Sequence, residues 1–142
     1  MVRKSNVQPH SAHVEQPEID ISVVVPFYNA GRYIERCIKG LLAQSYPSTR
    51  YEIIMIDNNS TDGSAELVRK YSPIRLLVEP KQGSYAARNR GAAAAKRAII
   101  AFTDADCVPA ADWLERIVAS MRVPWAELVQ GGDCLPWNLL LC

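Results

Sequence analysis

Residues 51–64 read YEIIMIDNNSTDGS, and this stretch decides the fold. Tyr51 to Ile56, apolar apart from Glu52, form a run too short for a helix, with Ile53 to Ile56 too uniform to alternate between two environments. Such a run is a strand buried on both faces, as in a parallel sheet. Asp57 then opens a polar turn, DNNSTDG, in which Asp62 or Ser64 can cap a helix whose inner face is Leu67, Val68 and Tyr71. One buried strand, one polar loop and one amphipathic helix make a unit, and the rest of the chain repeats it.

Upstream, IDISVVV (19–25) is a strand that ends at Pro26, which cannot donate to a sheet ladder. A helix follows from about Gly31 to Ser45, with Ile34, Cys37, Ile38, Leu41 and Leu42 at helical spacing and Glu35 placed to pair with Lys39. Downstream, Pro73 ends the second helix and IRLLV (74–78) makes a third strand. The loop EPKQG leads into SYAARNRGAAAAKRA, an alanine-rich helix from about Ser84 to Arg97. Its small side chains allow close packing on a sheet, despite Gly91 in its interior. AIIAF (98–102) is the fourth strand; after TDADCVPA comes a helix with Trp113, Leu114, Ile117, Val118 and Met121 on one face. ELVQG (127–131) reads as a fifth strand. Connections of this length exclude hairpins, so the chain is α/β: a doubly wound, mainly parallel, Rossmann-like sheet with helices on both faces.

The 142 residues, 49% hydrophobic, suffice for one domain with a core and not for two ordinary ones. Sixteen basic against 15 acidic side chains leave a net charge of +1, so nucleic acid is not an expected partner. No apolar run approaches the roughly 20 residues of a spanning helix. Residues 1–18 are polar, carry Pro9 and Pro17, and read as a flexible arm that also holds His10 and His13; 19–142 form the domain. Cys37, Cys107, Cys134 and Cys142 have neither a CxxC pair nor zinc-ligand spacing. Without an export signal, reduced thiols and a cytoplasmic location follow, at the inner face of the membrane if the protein associates with one. Cys37, on an apolar helix face, reads as a small core residue.

Ligands of doubly wound sheets bind beyond the carboxyl ends of the strands, where PFYNAGR, DNNSTDGS, EPKQGSYAARNR and TDADC all fall by connectivity alone. Asp104 and Asp106, one residue apart after a buried strand, can converge on Mg²⁺ or Mn²⁺ shared with substrate phosphates. The plainer reading is turn chemistry, although Asp112 suits the cap of the fourth helix better. Asp57 can anchor an Asx turn, or accept a hydrogen bond from a base N–H or a ribose hydroxyl. Arg88 and Arg90, with Lys81, can neutralise phosphate beside a helix N-terminus, or simply face solvent. Gly83 suits either a close backbone approach or the turn that begins the helix. Neither GxGxxG nor GxxxxGK[ST] occurs.

In this order VVVPFYNAGRYIERCIKGLLAQSYP, IIMIDNNSTDGS, ARNRGAAAA and IIAFTDADCVPAADWLERIV resemble family 2 glycosyltransferases of the GT-A fold, from about Ile19 to Gly132. The resemblance implies that Pro26, Tyr28, Asn29, Asp57, Gly83, Arg88 and Asp104 hold a nucleoside-diphosphate sugar, with Asp57 at the base and Arg88 near the pyrophosphate. It implies further that Asp104 and Asp106 hold Mg²⁺ or Mn²⁺, Asp106 the more directly, and that the sugar passes with inversion to a saccharide or lipid-linked acceptor, as in cell envelope polysaccharide synthesis. Family members place the catalytic base in a downstream acceptor half. After Asp106 this chain offers only Asp112, Glu115, Glu127 and Asp133, none in a credible position, so the catalytic residue is unknown and the acceptor half is expected to be missing. The apolar end LPWNLLLC calls for a partner polypeptide or oligomer to cover it.

Two alternatives stand beside this reading. One is a non-catalytic nucleotide-sugar-binding fragment or assembly subunit. The other, ranked lower, is a haloacid-dehalogenase-like phosphatase, which normally carries its DxD after the first strand rather than the fourth.

Overall fold

The computed structural model describes residues 18–122, so the arm, the expected fifth strand and the apolar end lie outside the described residues. The elements are β1 (Ile21–Phe27), α1 (Ile34–Leu42), β2 (Tyr51–Asp57), α2 (Ser64–Arg69), β3 (Ile74–Val78), α3 (Ser84–Ala94), β4 (Ile99–Phe102) and α4 (Trp113–Met121). A short 3₁₀ turn, Ser48–Arg50, precedes β2. The strands form one sheet in the order β3-β2-β1-β4, and every pairing is parallel. Val24, at the centre, faces Ile54 on one side and Phe102 on the other.

Helices cover both faces. On one, Ile34, Cys37, Ile38 and Leu41 of α1, Ala65 and Val68 of α2, and Leu114, Ile117 and Val118 of α4 pack on Ile21, Val23, Val25, Ile53 and Met55. Trp113 and Met121 pack against this cluster half-buried. On the other face, Ala87 of α3 joins Val24, Ile54, Ile56 and Phe102. All seven β1 residues are buried, which explains a strand with no polar alternation. Each fully buried Ile or Val contributes roughly 1.5–3 kcal/mol relative to an exposed one.

Three local outcomes differ from the sequence expectation. First, β1 continues through Pro26 to Phe27. The Val24 carbonyl accepts from Thr103 N on the β4 side, and the Phe27 carbonyl accepts from Asn58 N on the β2 side. By this alternation Pro26 faces β4, past the last paired residue, so its missing N–H interrupts no ladder. Second, α1 starts at Ile34 because Tyr33 N and Ile34 N both close a turn on the Ala30 carbonyl.

Third, α3 stops at Ala94, and Ala95 is extended. The next two amides leave the helix for β1 and β2: Lys96 N donates to Glu52 Oε1 (2.9 Å) and Arg97 N to Ser22 Oγ (3.1 Å). Ser22 Oγ donates to Glu52 Oε1 (2.7 Å), and Arg75 Nη1 bridges Glu52 Oε2 (2.9 Å) and the Ala94 carbonyl (3.1 Å). Burial raises the Glu52 pKa, but the bonds from Ser22, Lys96 N and Arg75 outweigh it, and the net shift is downward.

From β1 the chain steps outward to β2 and β3, then returns through α3 to β4 on the far side of β1. The winding direction therefore reverses between β1 and β4, where an open α/β sheet has its crevice.

Candidate functional site

The loops that follow the four strands are stitched to one another in sequence. After β1, Asn29 adopts the left-handed region (φ 48°), which asparagine tolerates. Its N–H donates to Ser60 Oγ (2.9 Å), Ala30 N to Ser64 Oγ (3.0 Å) and Gly31 N to Asp62 Oδ2 (2.9 Å). Thr61 N returns a bond to Asn29 Oδ1 (2.8 Å). The Ser64 hydroxyl and the Gly31 N–H lower the Asp62 pKa, since both donate to the charged form. The polar run 60–64 thus receives the first loop besides starting α2, whose N-cap position is Gly63.

The second stitch joins the loops after β2 and β3. Asn58, 5% exposed, donates from Nδ2 to the carbonyls of Glu79 and Lys81 (both 2.8 Å) and accepts from Gly83 N at Oδ1 (2.9 Å). Asn59 Nδ2 adds a bond to the Pro80 carbonyl (2.7 Å). The third stitch is ionic: Arg88 Nη2 donates to Asp104 Oδ1 at 2.8 Å. Behind it, the loop after β4 is held by Gln44, whose Nε2 donates to the Ala110 carbonyl (2.7 Å) and whose Oε1 accepts from Leu114 N (3.0 Å).

Two hollows open at the β1/β4 reversal. One, of about 280 Å³, is lined by Pro26, Tyr28, Asn58, Gly83, Arg88 and Asp104, among others. The second, of about 260 Å³, meets Asn29, Tyr33, Ala105 and Asp106. Tyr28 borders both and is 54% exposed. The residues expected from sequence therefore converge, with clear exceptions. Asp57 lines neither hollow, and its Oδ1 accepts from Ser60 N (2.9 Å) within the turn that follows β2. Arg90 and Lys81 are exposed and line neither.

Gly83 serves the turn, and the space at its side leaves a close approach of ligand open. Its φ of 128° is closed to other residues, while nothing lies within 4 Å of the position a Cβ would take. Asp112 holds the N-cap position of α4 without a side-chain cap bond, and its Oδ2 accepts from Arg116 Nε (2.8 Å) instead. Asn58 is one wall residue that sequence reasoning missed. Only its place beside Asp57, at the end of a buried strand, marked it.

Among the described residues no group of three or more His, Cys, Asp or Glu side chains could hold a metal ion. Two neighbouring carboxylates fit a hard cation that completes its shell with substrate phosphate and water, not one caged by protein. No helix among the described residues is long and apolar enough to cross a membrane.

The family model for Glycosyl transferase family 2 matches residues 22–132. The chain belongs to this family. Two curated glycosyltransferases resemble the family 2 chain over 117 residues each: AglE of Haloferax volcanii at 40% identity and GlyG of Streptococcus pneumoniae at 34%. Each match covers 79% of this chain but 38% of the relative. Among solved structures, mannosyltransferase PcManGT from Pyrobaculum calidifontis, in complex with GDP-Man and Mn²⁺, matches with a TM-score of 0.73 at 28% identity. That match covers 81% of the family 2 chain and 36% of PcManGT. S. aureus TarS 1–349 in complex with UDP matches at 0.68 and 27% identity, covering 72% of this chain and 32% of TarS. The doubly wound parallel sheet is that of GT-A glycosyltransferases, and the chain spans under two fifths of these relatives' length.

Proposed function

We propose that residues 26–106 form the donor site of a glycosyltransferase that moves a sugar from a nucleoside diphosphate to an acceptor hydroxyl. The observation that carries this reading is the cavity at the β1/β4 reversal, bordered by exposed Tyr28, the first turn of α3 and the Arg88–Asp104 pair. Tyr28 offers an aromatic face for a base to stack on. The amides of Ser84 and its neighbours, at the start of an eleven-residue helix, offer donors to a diphosphate. Asn29 and Pro26 shape the floor, and Asn58 rather than Asp57 forms the wall beside them.

Asp104 and Asp106 would hold Mg²⁺ or Mn²⁺ together with the diphosphate, a cation whose chemistry is to stabilise charge on the leaving group. Arg88 then has two anions within its reach, Asp104 and the diphosphate, and can pass from one to the other. PcManGT with GDP-Man and Mn²⁺, and TarS with UDP, support the choice of donor class. An acceptor hydroxyl, giving its proton to a base, attacks the anomeric carbon on the face opposite the diphosphate; the bond to the diphosphate breaks, the nucleoside diphosphate leaves, and the configuration inverts. No described acid after Asp106 fills that role: Asp112 pairs with Arg116, and Glu115 lies exposed on α4. The resemblance to a putative teichuronic acid biosynthesis glycosyltransferase of Bacillus subtilis supports an envelope polysaccharide or its lipid-linked precursor as acceptor.

Calorimetric titration of the 142-residue chain with GDP and UDP, with and without Mn²⁺, tests the site. We expect binding that strengthens with Mn²⁺ and loses that dependence in Asp106→Ala. Undiminished Mn²⁺-dependent binding in that variant would refute the assignment. Transfer assays separate an enzyme from a binding subunit: binding with no transfer to any acceptor supports the second reading for this chain.

A further inference from the structure

We infer that Gln44 is a positioning residue: its side chain clasps the loop that carries Asp104 and Asp106 to the end of α1, and so holds the two carboxylates ready for a cation. The inference rests on the proposed function in one respect, that these aspartates bind Mg²⁺ or Mn²⁺.

The loop must present both aspartates at the carboxyl edge before α4 begins. At its near end Thr103 N donates to the Val24 carbonyl (3.2 Å), which extends the sheet. Between the aspartates, Ala105 is buried in the core cluster that α1 shares. Asp104 and Asp106 therefore border different hollows. Beyond Asp106 the loop passes along one flank of α1. Cys37 and Gly40, three apart, share that flank: Cys37 Sγ lies 3.7 Å from the Asp104 carbonyl. A Cβ at Gly40 would lie 3.1 Å from Val108 Cγ1 and 3.2 Å from Pro109 Cδ, so a side chain there would push the loop away.

Gln44, just past the end of α1, completes this seat. Its Nε2 donates to the Gly40 carbonyl (3.0 Å), one of those a helix leaves open at its C-terminus, and to the Ala110 carbonyl (2.7 Å). Its Oε1 accepts from Leu114 N (3.0 Å), an amide in the first turn of α4 that the Asp112 side chain leaves uncapped. One amide group thus closes α1, holds the far end of the loop and caps α4. Ser45 adds N and Oγ bonds to the Ala111 carbonyl (2.7 and 3.0 Å). Two carboxylates that share a cation with phosphate help most when both are already in place, because ordering a free loop costs affinity.

The clasp needs a donor and an acceptor together. A carboxylate at position 44 could still accept from Leu114 N, but would face the Gly40 and Ala110 carbonyls with no hydrogen between them. Gln44→Glu therefore keeps the cap and opens the clasp, whereas Gln44→Ala removes both.

The test titrates the full chain with GDP and UDP, with and without Mn²⁺, and follows hydrogen exchange at the Leu114 amide. In Gln44→Ala we expect Leu114 to exchange at least tenfold faster; in Gln44→Glu it should stay protected. In both variants the strengthening by Mn²⁺ should shrink at least fivefold, while affinity without Mn²⁺ stays within twofold. Val68→Ala, a truncation on α2 away from the loop, is the comparison for lost stability; it should lower Tm and keep the full Mn²⁺ effect. Unchanged Leu114 exchange in Gln44→Ala would overturn the clasp. An undiminished Mn²⁺ effect in that variant, a parallel loss of metal-free affinity, or an equal loss in Val68→Ala would overturn the positioning role. A Gln44→Glu chain that matches wild type would overturn the part given to the two donated bonds. A wild-type chain whose nucleotide binding gains nothing from Mn²⁺ would overturn the metal assignment of the proposed function and the positioning role with it, while Leu114 exchange would still decide the clasp.

Discussion

The two aspartates of the DxD stand in different circumstances. Asp104 is half-buried and its charge is matched by Arg88 at 2.8 Å; Asp106 is exposed and borders the neighbouring hollow. Removing Asp104 strands a guanidinium that is 21% exposed, so Asp104→Ala should lower stability by about 1 kcal/mol. Asp106→Ala should change stability by less than about 0.5 kcal/mol, the usual range at exposed positions. The same substitution should weaken Mn²⁺-dependent nucleotide binding tenfold or more, about 1.4 kcal/mol. Urea denaturation and calorimetry on the two variants, side by side, check this division. The resemblance ranked Asp106 the more direct metal ligand, but the ion pair of Asp104 was not legible, because the spacing of the two aspartates says nothing of a partner on α3. Arg88 and Arg90 are the reverse case. Residues two apart on a helix point roughly 200° from each other, so the two could not both serve one cavity.

At the scale of elements, α3 is the part whose sequence was most open to misreading. Its alanines announce close packing, and Gly91 looks like a weakness in the helix interior. In the fold Gly91 is the point of closest approach. A Cβ there would lie 2.3 Å from Val24 Cγ1 and 2.7 Å from Ile56 Cδ1, both in the fully buried centre of the sheet. Gly91→Ala gains up to about 1 kcal/mol of helix propensity. Against that stands overpacking of typically 1–3 kcal/mol, which we expect to win because neither sheet residue has room to turn aside. The variant should be net destabilised by about 1–2 kcal/mol in urea. Its affinity for nucleotide should also drop, since α3 cannot move off the sheet without carrying Arg88 with it. A Gly91→Ala chain of higher stability would show that the helix can ride up at no cost.

For the whole molecule, the two edges of the sheet divide the work. The carboxyl edge carries the loops of the candidate site; the amino edge carries the Glu52 cluster that joins β1, β2, β3 and the end of α3. Glu52 has a folded pKa below its unfolded value of about 4.3. Its contribution is therefore complete above that unfolded value and lost as pH falls through the lower folded one. Glu52→Gln should cost about 1–2 kcal/mol at pH 7 and flatten the decline in stability below about pH 4.3. Urea midpoints measured from pH 7 down to pH 3 would reveal it; parallel wild-type and variant curves would contradict it. All four strands and helices were legible because buried apolar runs and helical spacing are local signals. The carboxyl edge was legible for the same reason, since connectivity alone puts every polar loop there. The stitches were not, because Asn58, Ser60, Asp62 and Ser64 act on backbone groups some 20 to 34 residues away.

The reversal between β1 and β4 also has a consequence for how the chain is made. As the polypeptide leaves the ribosome, β2 and β3 can join β1 in order, each beside the last. The other edge of β1 must wait for β4, about 70 residues later, which at 5–20 residues per second is roughly 4–14 s. During that interval Ser22 and Val24 present unpaired backbone along a strand whose seven residues are all buried in the fold. Among the described pairings, the seam along which the ligand crevice opens is thus the last to close in synthesis, and the one most in need of shelter until it does.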